Sequence, residues 1–307
     1  MSQPSVAIIV INYNGAAVLE DLAASLAAIT YTNHRLCLVD NASPDGSGTR
    51  LRTLFPNAEI ILNDVNTGYA AAVNQAAGIC LTKPTDYVLL LNPDTTLPPG
   101  FLDSLVESAD ASTLVSPKVL ATDTGRLATH SGGFSWLRGR LTHTHDGEQD
   151  GPAHTSPREV EVACFACILI PAAAFAAIGP LDERFGMYYE DTDYSIRARK
   201  AGFRILIQPA AIIHHSHGGS SGRDSPFTLY YAVRNRPFTL RKHLSLPRYL
   251  LFSVYFLATH ARQVAGEVRT RNWPLLRAHL RGLRDFYTGR MGMTYQPSDL
   301  NPPNQRY

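Results

Sequence analysis

Short runs of Val, Ile and Leu alternate with helix-like segments over the first third of the chain, and this alternation is its most constraining feature. The apolar runs predict strands at 6–12, 35–40, 58–63 and 87–92, and the segments between them predict helices at 15–29, 46–55 and 68–80. Strand-sized apolar runs joined by helices are typical of a parallel sheet with both faces covered. We therefore expect an α/β fold with a mostly parallel central sheet flanked by helices.

Each predicted strand ends in a polar residue, and these residues are Asn12, Asp40, Asn63 and Asn92. The carboxyl ends of parallel strands meet at one edge of the sheet, where ligands of open α/β sheets bind. The four side chains are therefore candidates for a binding site. The alternative is that they only form turns and cap helices, as Asn and Asp often do.

Beyond Pro98 the alternation becomes less regular. We expect an irregular loop or hairpin at 127–158, a β-run at 160–170, a short helix at 192–200, a short strand at 204–208, helices from 228 onward and a loose tail at 296–307. With 45% hydrophobic residues, the chain can bury one large core with an appendage, or two modest cores. This composition excludes intrinsic disorder of the body.

The charged residues divide the chain into an acidic body and a basic C-terminal region. The formal net charge of the whole chain is only +2. Residues 1–233, however, carry 15 basic against 23 acidic side chains, whereas residues 234–307 carry 13 basic against 3 acidic. We therefore expect a folded body at 1–233 and a basic, amphipathic helical region with a loose tail at 234–307.

Cysteine usage and hydropathy indicate a chain that works in the cytoplasm. The four cysteines are too few for a disulfide scaffold, and their apolar neighbours favour buried thiols in a reducing compartment. The N-terminal segment lacks the basic region and cleavage site of a secretory signal. Because the longest uncharged stretches contain prolines or fall short of the roughly 20 residues that a spanning helix needs, no transmembrane helix is expected.

The segment Leu91-Asn92-Pro93-Asp94 places a carboxylate two residues beyond a predicted strand. At this position Asp94 could link a hard divalent cation to a ligand diphosphate, since Mg²⁺ and Mn²⁺ accept carboxylate and phosphate oxygens together. The alternative is an ordinary Asn-Pro-Asp turn.

Three acids, Glu190, Asp191 and Asp193, lie within four residues at the start of a predicted helix. Backbone N–H groups at a helix N-terminus favour the anionic form of nearby carboxylates, so one of the acids could accept a proton from a hydroxyl nucleophile. The alternative is that Asp191 caps the helix and the other two occupy its first turn.

A histidine cluster, His214, His215 and His217, follows an apolar run and precedes two glycines. Its imidazoles could supply a metal ligand or a hydrogen bond to phosphate, and the alternative is a solvated turn. Cys164 and Cys167 lie in an apolar run without a second cysteine pair, so a zinc site is not expected there.

In this order, seven motifs resemble the inverting family 2 glycosyltransferases of the GT-A fold, most closely their bacterial rhamnosyltransferase-like branch. The matching segments are VAIIVINYN at 6–14, VDNAS at 39–43, NTGYA at 66–70, LNPD at 91–94, LDERF at 181–185, YEDTD at 189–193 and HSHGGS at 215–220. They extend over roughly residues 5–240, and seven motifs in register are far more specific than any one of them.

The resemblance implies a GT-A catalytic domain at 1–233, with a nucleotide-binding half at about 1–97 and an acceptor half at about 98–233. It implies a nucleotide-sugar donor, for which dTDP-L-rhamnose is the first choice and a UDP- or GDP-sugar the alternative. The acceptor would be a hydroxyl of a cell-envelope glycan or of a polyprenyl-diphosphate-linked precursor.

The same resemblance implies roles for individual residues. The nucleotide would be bound by Asn12, Tyr13, Asn14, Asp40, Asn41, Gly68, Asn92 and Asp94, with Asp40 on the pyrimidine base. Asp94 and His215 would hold Mg²⁺ or Mn²⁺, although Asn92 departs from the acidic first position of the usual Asp-x-Asp pattern and His214 or His217 could replace His215. Asp191 matches the general base, and Glu190 would shape the acceptor pocket.

The basic C-terminal region has an apolar stripe of its own. Leu250, Val254, Leu257 and Ala261 recur at helical spacing, and Trp273 precedes three arginines. Basic helices with an apolar face are typical of peripheral membrane attachment, so we expect this region to bind the anionic cytoplasmic face of a membrane. The alternative is that the stripe packs on the body. Nucleic-acid binding is not expected, because no known reading module accompanies the charge.

Other functional classes fit the sequence less well. A nucleotidylyltransferase would need a Gly-rich loop carrying Lys or Arg after the first strand, and a nicotinamide dehydrogenase would need G-x-G-x-x-G there. The chain has Asn12-Tyr13-Asn14-Gly15 instead. A non-catalytic protein that binds sugar nucleotides stays open as an alternative.

Overall fold

A computed structural model describes residues 3–128, 131–143, 145–216 and 225–296. The strands are β1 (Val6–Asn12), β2 (His34–Asp40), β3 (Glu59–Leu62), β4 (Tyr87–Leu91), β5 (Thr95–Thr96), β6 (Thr113–Ala121), β7 (Gly132–Ser135), β8 (Arg140–His143), β9 (Arg158–Glu159), β10 (Cys167–Pro171) and β11 (Arg204–His215). The helices are α1 (Leu19–Ala27), α2 (Ser47–Leu54), α3 (Tyr69–Cys80), α4 (Phe101–Glu107), α5 (Ala172–Ile178), α6 (Glu190–Lys200), α7 (Pro226–His243), α8 (Leu246–Arg269) and α9 (Trp273–Tyr287).

The central sheet has the strand order β3-β2-β1-β4-β10-β6-β11-β5, with β9 paired to β11. Its first four strands are parallel, as predicted, because helices return the chain to the same edge after each of β1, β2 and β3. β10 then runs antiparallel between β4 and β6, and β7 and β8 form a separate hairpin. The expected α/β class and the expected hairpin within 127–158 are both confirmed.

Strand β1 shows why the apolar runs predict the sheet. All seven of its residues are buried. Val6, Ile8 and Val10 pack with α1 on one face, whereas Ala7, Ile9 and Ile11 pack with α3 on the other. Because alternate side chains point to opposite faces, a strand covered on both sides must be apolar at nearly every position.

Three expected elements differ from the structure. Helix α1 begins at Leu19, four residues later than expected, because Asn12 to Gly15 form a turn at the sheet edge. The β-run expected at 160–170 is a strand only from Cys167 onward. The strand expected at 204–208 continues to His215, and a register shift between Gln208 and Ile212 accommodates Pro209, which has no N–H to donate.

The three C-terminal helices predicted from residue 228 onward are confirmed as α7, α8 and α9. Ser225 begins α7 as an N-cap, since its hydroxyl accepts a hydrogen bond from the Thr228 N–H at 3.1 Å. The boundary expected between residues 233 and 234 therefore falls inside α7, whose residues 233–240 are all buried. Of the expected tail, residues 297–307 lie outside the described part of the chain.

A buried polar chain joins α8 to α9. His279 and Glu267 form a hydrogen bond of 3.0 Å between Nδ1 and Oε1, and the Nε2 atom of His279 lies 2.6 Å from Nδ1 of His260. Burial, followed by the charge of His279, lowers the pKa of His260 to about 3, which keeps its ring neutral. These three hydrogen-bonded side chains thus fix α9 on α8.

Helix α8 has one buried face and one exposed apolar face. Phe252 and Phe256 pack into a cluster with Phe134 and Leu240. The stripe predicted from the sequence points outward, because Val254 is 69% exposed and its neighbours at 250 and 257 are also exposed. The apolar stripe therefore does not pack on the body, although the opposite face of the same helix does.

Two further expectations concern the cysteines and membrane-spanning helices. All four cysteines are free, and Cys37, Cys80 and Cys167 are buried, as their apolar neighbours predict. Among the described residues, we find no helix with both the length and the apolar character needed to span a bilayer.

Candidate active site

A hydrogen-bond network joins the carboxyl ends of β1 and β2. Asn12 and Asp40 are adjacent in the parallel register, and the Asn12 amide donates to the Asp40 carboxylate at 2.7 Å and to the Ser47 hydroxyl at 2.9 Å. Ser43 donates to the same carboxylate through its hydroxyl at 2.6 Å and its N–H at 3.0 Å. Asp40 is only 5% exposed, and the two hydrogen bonds that it accepts from Ser43 hold the turn after β2 in place.

The turn after β1 contains buried acceptors without partners. The amide oxygens of Asn12 and Asn14 make no hydrogen bond within the described residues. Asn14 adopts a left-handed φ of 56°, and its N–H donates to Ser43. An unpaired buried acceptor costs about 1–3 kcal/mol, so these two oxygens suit the N–H or hydroxyl donors of a ligand. Tyr13, between them, is partly buried and hydrogen-bonds to Asn66.

Asn41 connects this edge to the loop before α3. Its side-chain N–H groups donate to Asn66 Oδ1 at 3.0 Å and to the Gly68 carbonyl at 3.2 Å. Its oxygen accepts hydrogen bonds from both the N–H and the hydroxyl of Thr67 at 3.1 Å. Asn41 is 2% exposed, and its hydrogen bonds hold the loop that carries Gly68 in one conformation.

Gly68 allows two halves of the site to meet at backbone distance. Its φ is 89°, and a Cβ atom there would overlap the carbonyl of Gly186. The Tyr69 N–H donates to that carbonyl at 2.8 Å. A Cβ atom on Gly186 would in turn lie 2.7 Å from the carbonyl of Gly292, a residue C-terminal to α9. The sequence motif around Gly68 is therefore fixed by a contact with distant backbone.

Asp94 and His215 come together although 121 residues separate them. Antiparallel pairing of β5 with β11 aligns His215 with Thr95, and the Ser216 N–H donates to the Asp94 carbonyl at 3.0 Å. The Nε2 atom of His215 then lies 3.1 Å from Oδ1 of Asp94. Both side chains are partly exposed, so together they offer one carboxylate and one imidazole at the sheet edge.

Of the other residues predicted near this pair, the structure describes Asn92 and His214 but not His217. Asn92 lies just beyond β4, where its N–H donates to the Ala166 carbonyl at 2.8 Å and its own carbonyl accepts from Thr95. His214 pairs in register with Thr96 and its side chain is exposed. His217 lies outside the described residues, as do Gly218 to Ser220 of the same motif.

The structure separates the three acids of α6 by environment. Asp193 is fully buried and accepts hydrogen bonds or ion pairs from Arg197 at 2.8 Å, Lys242 at 2.7 Å and His243 at 2.7 Å. Although burial alone would raise it, the pKa of Asp193 is lowered by the His243 hydrogen bond and the nearby cations. Asp193 therefore ties α6 to the end of α7.

The pKa values of Glu190 and Asp191 are shifted in the opposite direction to that of Asp193. Burial, and then the charge of Asp191, raise the pKa of Glu190 well above its ordinary value. Burial also raises the pKa of Asp191, although hydrogen bonds from Thr192 and from the Phe165 backbone oppose the shift. Since Asp191 is the more exposed of the two, it is the one suited to stay anionic and to accept a proton.

A strained turn presents these acids to the site. Tyr188 and Tyr189, which immediately precede them, adopt left-handed φ values of 64° and 73°. Such conformations cost about 1–3 kcal/mol each and persist only where surrounding groups enforce them. Asn235 of α7 supplies that support, because its amide donates to the carbonyls of Phe185, Met187 and Tyr188 at 2.9, 2.8 and 2.9 Å.

Arg234 holds the same turn from the neighbouring position of α7. Its side chain is fully buried, and its guanidinium donates to the Phe185 carbonyl and, at 2.6 Å, to the Gly292 carbonyl. The guanidinium also lies over the Tyr231 ring, 4.7 Å from its centroid. Carbonyl dipoles and aromatic faces thus replace the water that this cation loses on burial.

Sequence reasoning missed the segment at 164–166, whose Phe165 backbone hydrogen-bonds to Asp191 and whose Ala166 carbonyl accepts from the Asn92 N–H, two residues before Asp94. The charges of Asp191, Glu190 and Asp94 all act on Cys164, whose pKa rises to about 12 chiefly through burial. The Phe165 carbonyl accepts from the Tyr69 hydroxyl at 3.1 Å. The segment's departure from β geometry is what brings it to the site, and no local signal in its apolar sequence predicts that departure.

The family model for glycosyl transferase family 2 matches residues 7–179 of the chain. Two curated relatives extend the likeness. The N-acetylglucosaminyl-diphospho-decaprenol L-rhamnosyltransferase of Mycobacterium tuberculosis is 29% identical over 71% of this chain and 78% of its own length. The low-salt glycan biosynthesis hexosyltransferase Agl10 of Haloferax volcanii is 25% identical over 75% of this chain and 73% of its own length.

A solved structure shares the fold. The mannosyltransferase PcManGT of Pyrobaculum calidifontis, in complex with GDP-Man and Mn²⁺, superposes with a TM-score of 0.54. The match covers 94% of this chain and 88% of that chain at 15% sequence identity. The likeness supports the expected GT-A architecture across almost the whole chain, including the C-terminal helices.

Replacing Asn235 by Ala removes the donors that hold the strained turn. We expect kcat to fall by about 100-fold, since misplacing a reacting group by about 1 Å has that effect, while KM for the donor changes little. The measurement is steady-state kinetics on protein whose folded fraction is verified by thermal unfolding.

Val233→Ala is the matched control, because it truncates a buried side chain on the same helix without touching the turn. It should lower the unfolding midpoint and leave kcat near the wild-type value. An Asn235→Ala enzyme with wild-type kcat would contradict a positioning role.

Proposed function

The chain belongs to glycosyl transferase family 2 and is a glycosyltransferase, and on that premise we propose that it moves one sugar from a nucleotide donor to an acceptor hydroxyl by a single displacement with inversion. One arrangement carries the proposal: the partly exposed Asp191 carboxylate accepts from the Phe165 backbone, and the Asn92 N–H, two residues before Asp94, donates to the Ala166 carbonyl, so the 164–166 segment links Asp191 to the Asp94–His215 pair. A single displacement needs a base and a group that stabilises the leaving anion.

Asp191 acts as the general base in this proposal. Burial raises its pKa, which makes it a better proton acceptor than an ordinary exposed Asp. Burial, and then the charge of Asp191, raise the pKa of Glu190 well above its ordinary value, which favours its neutral form. A neutral Glu190 can shape the acceptor pocket without repelling the Asp191 anion.

The Asp94–His215 pair fits a divalent cation of the Mg²⁺ or Mn²⁺ class. One carboxylate and one imidazole leave most coordination positions for phosphate oxygens and water, which is how such ions are usually held beside nucleotides. When bound, the cation would stabilise the negative charge that develops on the leaving diphosphate. Asp94 is the primary ligand in this assignment, and His215 is the second.

The edge formed by β1 and β2 is the proposed nucleotide site. The unpaired oxygens of Asn12 and Asn14 are available to donors of the nucleotide, and Tyr13 offers an aromatic face beside them. Asp40 already accepts hydrogen bonds from Asn12 and Ser43. A carboxylate has four lone-pair directions, so Asp40 can accept one further hydrogen bond from the base. Asn41, Gly68 and Asn92 shape the backbone around the nucleotide.

We assign dTDP-L-rhamnose as the donor and a polyprenyl-diphosphate-linked glycan as the acceptor. Support comes from the Mycobacterium tuberculosis relative, which is named as an L-rhamnosyltransferase acting on N-acetylglucosaminyl-diphospho-decaprenol. Another envelope glycan as acceptor, a UDP- or GDP-sugar as donor, and non-catalytic binding of a sugar nucleotide are the alternatives.

A membrane-bound acceptor agrees with the exposed face of α8. We place the enzyme at the cytoplasmic surface of the membrane, attached through Leu250, Val254 and Leu257, which are 56%, 69% and 50% exposed. The acids of α8 and α9, Glu267 and Asp285, are both buried, so the exposed charge of these helices is basic. That surface complements anionic lipid headgroups.

Replacing Asp191 by Asn removes the proposed base while keeping its shape. We expect transfer to fall by about 100-fold or more and nucleotide-sugar binding to persist. In the wild type, the rate should rise with pH as Asp191 loses its proton, with an apparent pKa above the ordinary Asp value because burial raises it. The variant should lack this acid limb in its pH–rate profile.

Asp21→Asn is the control for the loss of one charge, because Asp21 is exposed on α1. It should transfer at the wild-type rate. Unchanged transfer by Asp191→Asn would remove Asp191 from the mechanism.

The donor assignment is tested by thermal shift with a panel of sugar nucleotides. With Mg²⁺ or Mn²⁺ present, dTDP-L-rhamnose should raise the unfolding midpoint more than UDP- or GDP-sugars, because ligands that bind only the folded state stabilise it. The gain from adding metal should disappear in Asp94→Asn. Equal stabilisation by a UDP-sugar would overturn the rhamnose assignment while leaving the transferase assignment intact.

The membrane assignment is tested with the double variant Leu250→Ser and Val254→Ser. Losing two apolar side chains should weaken binding to anionic vesicles by about 100-fold, which corresponds to about 3 kcal/mol of lost burial. Vesicle flotation at low and high salt measures it. The control, Leu62→Ser with Val65→Ser, changes two comparably exposed apolar residues at and just after the end of β3 and should bind as the wild type does. Equal binding of both doubles would contradict docking through α8.

A further inference from the structure

The loop between β8 and β9 gathers three potential metal ligands away from the Asp94–His215 pair. His145, Glu148 and His154 each offer one donor atom, and the three atoms lie within 4.8 Å of one another. His145 Nδ1 lies 3.0 Å from Glu148 Oε2, and His154 Nε2 lies 3.1 Å from the same oxygen. We propose that these three residues form a second metal site, which takes zinc or a similar borderline ion.

The donor spacing is close to that of a tetrahedral site. With zinc–ligand distances of about 2.0–2.1 Å, neighbouring donors of a tetrahedron lie about 3.3 Å apart. The two separations from Glu148 Oε2, 3.0 and 3.1 Å, need to open by only a few tenths of an ångström, and the two imidazole nitrogens lie within 4.8 Å of each other. The hydrogen bonds that now join the imidazoles to Glu148 would then be replaced by bonds to the ion.

The identity of the donors sets the class of ion. Two imidazoles and one carboxylate favour Zn²⁺, whereas Mg²⁺ prefers oxygen donors alone. Three protein ligands leave a fourth position for water. The chain would therefore carry two chemically different metal sites, with one at the sheet edge that is completed mainly by phosphate and water oxygens and a histidine-rich one in this loop.

Asp150 provides the support that a zinc-bound histidine usually has. The Nδ1 atom of His154 is buried and has no hydrogen-bond partner among the described residues, and the nearest carboxylate oxygen, on Asp150, is 3.8 Å away. Metal-bound histidines commonly direct their other ring N–H to a carboxylate. Asp150 is itself fixed by Lys118 of β6, whose ammonium donates to its two oxygens at 3.0 and 2.8 Å.

The backbone of the loop is held in the shape that the cluster requires. His145 has a left-handed φ of 67°, a strained conformation for a residue with a side chain. The Leu127 N–H donates to the Glu148 carbonyl at 2.9 Å, and the Gly147 N–H donates to the Leu127 carbonyl at 2.8 Å. These bonds anchor the loop beside the end of β6, the strand that pairs with β11 next to His215.

The test is zinc titration of chelator-stripped full-length protein against a chromophoric chelator, with Co²⁺ as a spectroscopic probe. The wild type should bind one more Zn²⁺ per chain than Glu148→Gln or His154→Ala, or bind it at least about 10-fold more tightly. Co²⁺ should give the visible absorption of a tetrahedral site, and these variants should lose it.

The matched control is Asp146→Asn, which removes a carboxylate from an exposed position of the same loop. It should bind zinc as the wild type does. Repeating the titration in an Asp94→Asn background separates this ion from any zinc at the Asp94–His215 pair. Thermal unfolding of the metal-free variants verifies that they fold. Equal zinc stoichiometry and affinity for wild type and Glu148→Gln would overturn the proposal.

Discussion

The strained turn that leads into α6 is the constraint on which the site depends. Two consecutive tyrosines with positive φ place Glu190 and Asp191 at the sheet edge, and this geometry is unfavourable in isolation. Asn235 and Arg234 make it stable by satisfying the carbonyls of the turn. Because these donors come from α7, the C-terminal helices are part of the framework of the candidate site rather than an appendage.

Contacts made at backbone level extend this constraint to the loop that carries Gly68. Gly68 meets Gly186, and Gly186 meets Gly292, so the loop before α3, the turn before α6 and the segment after α9 lie against one another. No side chain fits between them. A shift in any of the three segments would be transmitted to the other two, since close-packed backbone has little room to deform.

The acids of α6 show how packing assigns different tasks to similar residues. Asp193 is surrounded by cations and stabilises the joint between α6 and α7. Glu190 is buried without such a partner, and its pKa rises accordingly. Asp191 alone of the three combines partial exposure with a raised pKa, which is the combination expected of a general base.

The amino-acid sequence by itself determined the order of strands and helices over the first third of the chain, the parallel half of the sheet and the polar residues at its carboxyl edge. Strands buried on both faces must be apolar throughout, so their burial can be predicted from the local sequence. The pairing of Asp94 with His215, the turn held by Asn235, the irregular path at 164–166 and the outward direction of the α8 stripe were decided only by tertiary structure. Each depends on contacts between segments far apart in the chain, and no local pattern encodes which distant group will be the neighbour.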